Sequence, residues 1–250
     1  MTEPLSVILV TALAAFLVGT SKGGLPAVGA LAVPVMALVM SPMLAAALLL
    51  PIFVATDMVG LWLYRRLYSP RNLAILIPAG IAGVAFGWGV AAHISDIYVG
   101  MLVGLVGIAF CLRIWLGGGG SAAARPADLP GGVFWGVLTG FTSFVSHSGA
   151  PPFQMYVLPQ KLEKLVFAGT STILFAVINF AKIVPYWMLS SFDRVDPWLA
   201  VLVLPVGILG TYLGAKLTRI IPDGLFFRVV QIALFLVSLK LVGDAVVALT

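Results

Sequence analysis

Pro78-Ala-Gly-Ile-Ala-Gly-Val-Ala-Phe-Gly87 returns 127 positions later as Pro205-Val-Gly-Ile-Leu-Gly-Thr-Tyr-Leu-Gly214. One proline, one isoleucine and every glycine of the first copy keep their places in the second. The same register pairs Pro70 with Pro197, Ile94 with Ile221, Asp96 with Asp223 and Arg113 with Lys240. Self-similarity at a fixed offset marks an internal repeat. An offset of 122 brings Ala46, Asp57 and Tyr64 onto Ala168, Asn179 and Tyr186, and an offset of 125 brings Gly24, Pro26 and Pro34 onto Gly149, Pro151 and Pro159. The shifts fall where a loop can absorb an insertion. Between the copies runs Gly117-Gly-Gly-Gly-Ser-Ala-Ala-Ala-Arg-Pro126, a flexible-linker composition. The chain thus divides into a first repeat (1–116), a cytoplasmic Gly-rich linker (117–130) and a second repeat (131–250).

The repeats are built for lipid. Of 250 residues 61% are hydrophobic and 9% charged, against about 45–50% and about 25% in soluble domains. The mean hydropathy is +1.13. Long apolar runs recur along the whole length, several of them sufficient to span a bilayer as helices. A soluble enzyme, a nucleic-acid binder and a disordered scaffold are excluded. The runs are continuous rather than alternating, which argues against a β-barrel. The sequence pI of 9.6 does not point to nucleic acid, because the basic residues sit singly or in small groups between apolar runs. The single cysteine, Cys111, forms no internal disulfide or CxxC pair, and only His93 and His147 add nitrogen ligands. No metal, cofactor or catalytic residue is expected. The start, Met1-Thr-Glu-Pro4, lacks the basic residues of a secretory signal, so 5–19 reads as mature protein.

Each repeat holds the same order of segments. A short one (5–19; 131–145) leads through a polar, Gly-containing break to another short one (25–40; 150–159). Three long ones follow (43–64, 72–92, 97–116; 165–189, 197–217, 224–247). The short segments fall below the roughly 17–25 residues a crossing requires. Lys and Arg concentrate in cytoplasmic loops. Arg65, Arg66 and Arg71 place their loop inside, as do Arg113 and Arg125, Lys161 and Lys164, and Lys216, Arg219 and Arg228. The stretches 93–96 and 190–196 fall outside. This pattern requires 131–159 to enter and leave on one side, as a re-entrant hairpin or as two short crossings. It also inverts one repeat relative to the other. The expected fold is an all-α integral membrane protein of two inverted-topology repeats, each a broken short-helix hairpin followed by three transmembrane helices. That makes about 8–10 helical membrane segments, in the architecture common among secondary transporters.

The breaks hold the chemistry. The first reads Gly19-Thr-Ser-Lys-Gly-Gly-Leu-Pro26 and the second Gly140-Phe-Thr-Ser-Phe-Val-Ser-His-Ser-Gly-Ala-Pro-Pro152. Both combine glycines, hydroxyls, a cationic or titratable residue and a proline suited to start a helix. A helix starting there aims free N–H groups and a positive dipole end at the break, which suits an anion. The expected substrate-binding residues are Thr20, Ser21, Lys22, Gly23, Gly24, Ser146, His147, Ser148, Gly149 and Asn179. Lys22 reads as an anion ligand, or as a lysine snorkelling from a short surface loop. Asp57 lies mid-segment, where a charge is expensive and marks a functional site. Its candidate partners are Lys22 and Lys182, and it is a candidate for carrying a coupled proton. Asp57 and Lys182 are therefore the coupling or ion-pair residues. The Gly83-xxx-Gly87 and Gly210-xxx-Gly214 faces read as helix packing. Trp62, Tyr64, Tyr68, Trp115, Trp135, Tyr186, Trp187 and Trp198 lie near segment ends and suit interfacial belts.

Gly19-Thr-Ser-Lys-Gly-Gly-Leu-Pro26 with Val33-Pro34, Pro78-Ala-Gly-Ile-Ala-Gly-xxx-Gly87, and Ala168-Gly-Thr-Ser171 with Asn179 resemble the TauE/SafE sulfite-exporter family over nearly the whole chain. The second break departs from the Gly-rich pattern, with Ser-His-Ser in place of glycines. The resemblance implies transport, and commonly export, of sulfite, an organosulfonate or a related sulfur compound. The expected function is a multi-pass transporter in the cell (plasma or inner) membrane that binds a small sulfur anion near the midplane, at the two broken hairpins. Its partners are that anion and the lipid bilayer, not nucleic acid, with homo-oligomerisation left open. An intramembrane enzyme and a passive anion channel are the alternatives. A local Ser-His pair at 146–148 suits catalysis poorly, because adjacent helical residues do not face each other.

Overall fold

The computed structural model describes residues 4–36, 38–90, 96–116, 124–189, 195–249. Most of those residues are helical, with no strand among them. In chain order the helices are α1 (Leu5–Lys22), α2 (Pro26–Gly29), α3 (Ala32–Met36), α4 (Pro42–Tyr64), α5 (Pro70–Val90), α6 (Asp96–Leu116), α7 (Leu129–Ser146), α8 (Ala150–Val157), α9 (Lys164–Met188), α10 (Pro197–Ile220) and α11 (Asp223–Leu249). Six of them, α1, α4, α5, α9, α10 and α11, are long and apolar enough to cross a membrane. Caps and prolines set several boundaries. Asp128 accepts from the Gly131 N–H at 2.7 Å and Asp196 from the Trp198 N–H at 2.9 Å, each with a proline opening the helix.

The three long segments of each repeat coincide with helices to within about three residues. The leading segments are longer than the sequence suggests. α1 and α7 hold 18 residues each, about 27 Å at 1.5 Å per residue, close to the hydrocarbon thickness. Both continue through the hydroxyl-rich part of the break, because Thr and Ser satisfy themselves on carbonyls one turn back. The segment after the first break is shorter than a single helix: α2 is one turn, and α3 begins anew at Ala32.

The chain forms two compact units, and each combines helices from both sequence halves. The first comprises Met1–Ser69 and Leu165–Ile221, the second Pro70–Lys164 and Pro222–Thr250. In the first unit α1 lies along α10. A Cβ added at Gly19 would stand 1.9 Å from the Gly207 carbonyl oxygen, and one at Gly210 would stand 2.6 Å from the Phe16 carbonyl oxygen. In the second unit α7 lies along α5 through the corresponding residues. A Cβ at Gly140 would stand 1.9 Å from the Gly80 carbonyl oxygen, and one at Gly83 would stand 2.1 Å from that of Val137. These separations admit no side chain, so the repeated glycines are backbone contact points. Past the shared contact, α1 ends at Lys22, three residues after Gly19, whereas α7 ends at Ser146, six after Gly140. About one extra turn in α7 accounts for the change of offset at the second break.

Large apolar side chains remain exposed around the helices, among them Leu5, Trp62, Phe134, Trp187, Trp198 and Val247. Such a surface suits hydrocarbon rather than water. Two aromatics assigned to interfacial belts sit elsewhere: Tyr64 and Tyr186 are buried inside the first unit. Position near a segment end does not distinguish an outward ring from an inward one.

Candidate functional site

The centre of the first unit contains Lys22 from the end of α1, Asp57 from the middle of α4, and Asn179 and Lys182 from α9, all buried. Lys22 Nζ lies 2.8 Å from Asp57 Oδ1. The contact is a buried ion pair. Asn179 Nδ2 donates to the other oxygen, Oδ2, at 2.7 Å. The two residues that superpose in the repeat, Asp57 and Asn179, thus touch each other. Lys22, the one candidate at the first break with a full charge, is not snorkelling: only 4% of it is exposed.

Two phenyl rings surround the ammonium groups. Lys22 Nζ stands 4.9 Å from the Phe53 ring centre and 5.8 Å from that of Phe175, and Lys182 Nζ stands 6.0 Å from Phe53. Phe53 therefore lies in cation–π range of both lysines, a favourable contact for a desolvated cation. Asp57 and Phe53 are one turn apart on α4, and Asn179 and Lys182 are almost one turn apart on α9. The 3.6-residue period places each pair on one face.

The break itself is spent on holding α1 in place. Thr20 donates to the Phe16 carbonyl at 2.8 Å and Ser21 to that of Val18 at 2.6 Å. The N–H groups of Gly23 and Gly24 close the last turn of α1. The freed carbonyls are met by side chains from three other helices. Thr172 donates to the Lys22 carbonyl at 3.1 Å, while Tyr64 and Thr218 both donate to that of Gly23, at 2.6 and 2.9 Å. Gly24 has a φ of +116°, which favours glycine, and a Cβ there would meet Thr218, Ala168 and Tyr64. The hydroxyls of Thr20 and Ser21 and the N–H groups of Gly23 and Gly24 are accordingly engaged, and Lys22, Asp57, Asn179 and Lys182 stand as the candidate site in this unit. At the first break the helix N-terminus offers little, because α2 has only four residues and a single turn carries little dipole.

The second break belongs to the other unit. His147 caps α7 in the left-handed conformation at φ 54°, with its N–H on the Ser143 carbonyl and that of Ser148 on the Thr142 carbonyl. His147 and Ser148 are buried, Gly149 precedes α8, and the side chain of Ser146 lies outside the described residues. In α8, Gln154 is fully buried and its amide oxygen and nitrogen find no hydrogen-bond partner among the described residues. Asn72 and Gln160 satisfy each other through paired amides at 2.9 and 3.1 Å. No group of three or more His, Cys, Asp or Glu side chains that could hold a metal ion occurs among the described residues.

Phe53, Tyr64, Phe175, Thr172 and Thr218 complete the arrangement and were not singled out as site residues by sequence reasoning. The sequence marks Tyr64 only as an interfacial aromatic, and Thr172 directly follows the Ala168–Ser171 motif.

The site is thus a buried carboxylate between a lysine and an asparagine, with a second lysine on the same helix as the asparagine. Over residues 11–241 the chain matches the family described as sulfite exporter TauE/SafE. The chain belongs to the TauE/SafE family. TauE/SafE proteins are membrane transporters rather than enzymes, and the family's description implies a small anion as substrate and a lipid bilayer as surroundings. No curated protein and no solved structure matches the chain.

Proposed function

We propose that this chain carries a small sulfur oxyanion, sulfite or an organosulfonate, across the plasma (inner) membrane in the outward direction, and that the anion binds at Lys22, Asp57, Asn179 and Lys182. One observation carries the reading: the buried centre of the first unit brings two ammonium groups together with one carboxylate. A charge away from water is expensive, so a buried lysine that meets a carboxylate offers the same contact to an oxyanion. Lys22 supplies a point charge and three rotatable donors. Asn179 holds the carboxylate through Oδ2, which leaves Oδ1 and the lysine heads as the adjustable side of the site.

Export needs no coupling ion when the interior is negative, because each negative charge that leaves gains about 2.3 kcal/mol per 100 mV. The repeat supplies the means of opening to either side: two halves of inverted topology exchange conformations about a fixed site. The matched Gly19–Gly207 and Gly140–Gly80 contacts, each within its own unit, support such a repeat.

The test is flux through purified protein in liposomes, with a panel of sulfite, methanesulfonate, sulfate and chloride. A saturable flux that prefers the sulfur oxyanions, and that accelerates when the compartment they leave is made negative, is expected. A rate that does not saturate assigns the chain to channels, covalent change of the substrate assigns it to enzymes, and a preference for chloride removes the substrate assignment.

A further inference from the structure

Where α6 ends and α11 begins, the second unit opens a cavity of about 470 Å³ lined by Trp115, Gly224, Phe227, Arg228, Gln231 and Ile232. We propose that this cavity seats the headgroup of an anionic phospholipid, with one acyl chain laid along α11. The proposal is independent of the anion site in the first unit, with which it shares no residue.

The polar lining offers donors. Trp115 Nε1 donates to Gln231 Oε1 at 3.3 Å, so the Gln231 amide presents its Nε2 donor to a ligand. Arg228 adds a guanidinium that is exposed and belongs to no ion pair among the described residues. No residue of the lining is acidic. Asp223, the acid next to it in the chain, pairs with Lys164 at 3.1 Å. Donors around one fixed cation suit the oxygens of a phosphate, which a guanidinium holds in a bidentate fork. The lining has no carboxylate for the ammonium of a zwitterionic headgroup, so it favours a lipid whose only charge is its phosphate.

The walls are set before the ligand arrives. Trp115 is fixed from two sides, by the Gln231 bond and by the Phe235 ring at a centre-to-centre distance of 5.0 Å. Open space stands where a side chain at Gly224 would project.

The helical period supplies the acyl-chain track. Arg228, Ile232, Leu236 and Leu239 recur every three or four residues and so share one stripe of α11. Ile232, Leu236 and Leu239 are exposed. From Arg228 to Leu239 the helix rises about 16 Å at 1.5 Å per residue, near half of the roughly 30 Å hydrocarbon core and so the depth of one leaflet. The distribution of Lys and Arg assigns this end of α6 and α11 to the cytoplasmic side, where anionic lipids attract basic residues. Trp115 stands on α6 and Arg228 and Gln231 on α11, so a bound headgroup ties the two helices together and stabilises the fold by linkage.

The experiment titrates the detergent-purified full chain with phosphatidylglycerol and with phosphatidylcholine. Bound lipid is read by native mass spectrometry and the thermal midpoint is followed in parallel. Phosphatidylglycerol is expected to bind about fivefold more tightly, or better, and to raise the midpoint further. Arg228→Gln is expected to lower phosphatidylglycerol affinity about fivefold, the effect of one basic residue at a lipid surface. Arg66→Gln removes an exposed arginine elsewhere and is expected to leave that affinity unchanged. Glycerophosphoglycerol, the same headgroup without acyl chains, and inorganic phosphate are expected not to displace the lipid. Equal affinity for the two lipids in the wild-type protein overturns the proposal, as does a phosphatidylglycerol affinity that Arg228→Gln leaves intact or that Arg66→Gln lowers as far. Displacement by the chain-free headgroup or by phosphate assigns the cavity to a soluble anion and removes the lipid. Arg228 is exposed, so its replacement is compatible with folding, and the comparison of the two lipids on the wild-type protein decides by itself.

Discussion

Asp57 serves two partners with its two oxygens, so its removal does more than delete one contact. Asp57→Ala leaves Lys22 buried without the carboxylate it pairs with. Breaking a buried pair from one side typically costs about 3–5 kcal/mol, and the thermal midpoint of the purified variant is expected to fall markedly; an unchanged midpoint contradicts the burial of this pair. Gln154 leads the opposite way. Its amide is fully buried with neither end satisfied among the described residues, a burden of about 1–3 kcal/mol by mutational measures. Gln154→Met fills a similar volume without polar atoms and is expected to raise the midpoint. A lowered one indicates that the amide has a partner. The partnership of Asp57 was legible in the sequence because charges are so scarce: only Lys22 and Lys182 stood as candidates, and the repeat aligned Asp57 with Asn179. Tyr64, Thr172 and Thr218 on the break's carbonyls were not legible, since a free carbonyl carries no sequence signature and a hydroxyl has many uses.

At the scale of elements, the glycines divide by what faces them. Gly19 and Gly140 each press on a neighbouring carbonyl at a distance no Cβ tolerates, while Gly243 has open space. Gly140→Ala is expected to force α7 away from α5 and to reduce the yield of folded protein in detergent, read by size-exclusion chromatography. Gly243→Ala is expected to be neutral or stabilising by up to about 1 kcal/mol, the gain of alanine over glycine inside a helix. Equal behaviour of the two variants would contradict the packing described. Gly83 and Gly210, the partners' glycines at these contacts, were legible as small-xxx-small spacing, which is a property of one helix. Their pairing of α1 with α10 and of α5 with α7 was not, because a spacing does not name its partner. The overrun of α1 to Lys22 escaped the sequence for a related reason: hydroxyls that bond back to their own helix look the same as hydroxyls that end it.

For the whole molecule, the distribution of Lys and Arg gives the proposed inverted topology a direct check. Cys111 is buried, so single cysteines introduced into a Cys111→Ser background report sidedness. Cysteine at Leu67 and at Leu162 is expected to react only with reagent on the cytoplasmic side, and cysteine at Asp196 only with reagent outside. Labelling of 67 and 196 from the same side would remove the inversion. The extents of α4, α5, α6, α9, α10 and α11 were legible from hydropathy alone, since lipid imposes one rule on all of them. Their sorting into two units, each drawn from both sequence halves, was not, because hydropathy reports contact with lipid and is silent on which helices meet.

The central claim is that a sulfur oxyanion is carried by the lysines buried in the first unit. Sulfite flux through proteoliposomes containing Lys22→Ala, compared with wild-type protein of the same elution profile and reconstituted density, tests it most directly. The account predicts a saturable flux in the wild type and its loss in Lys22→Ala; wild-type flux in a folded Lys22→Ala protein would contradict it.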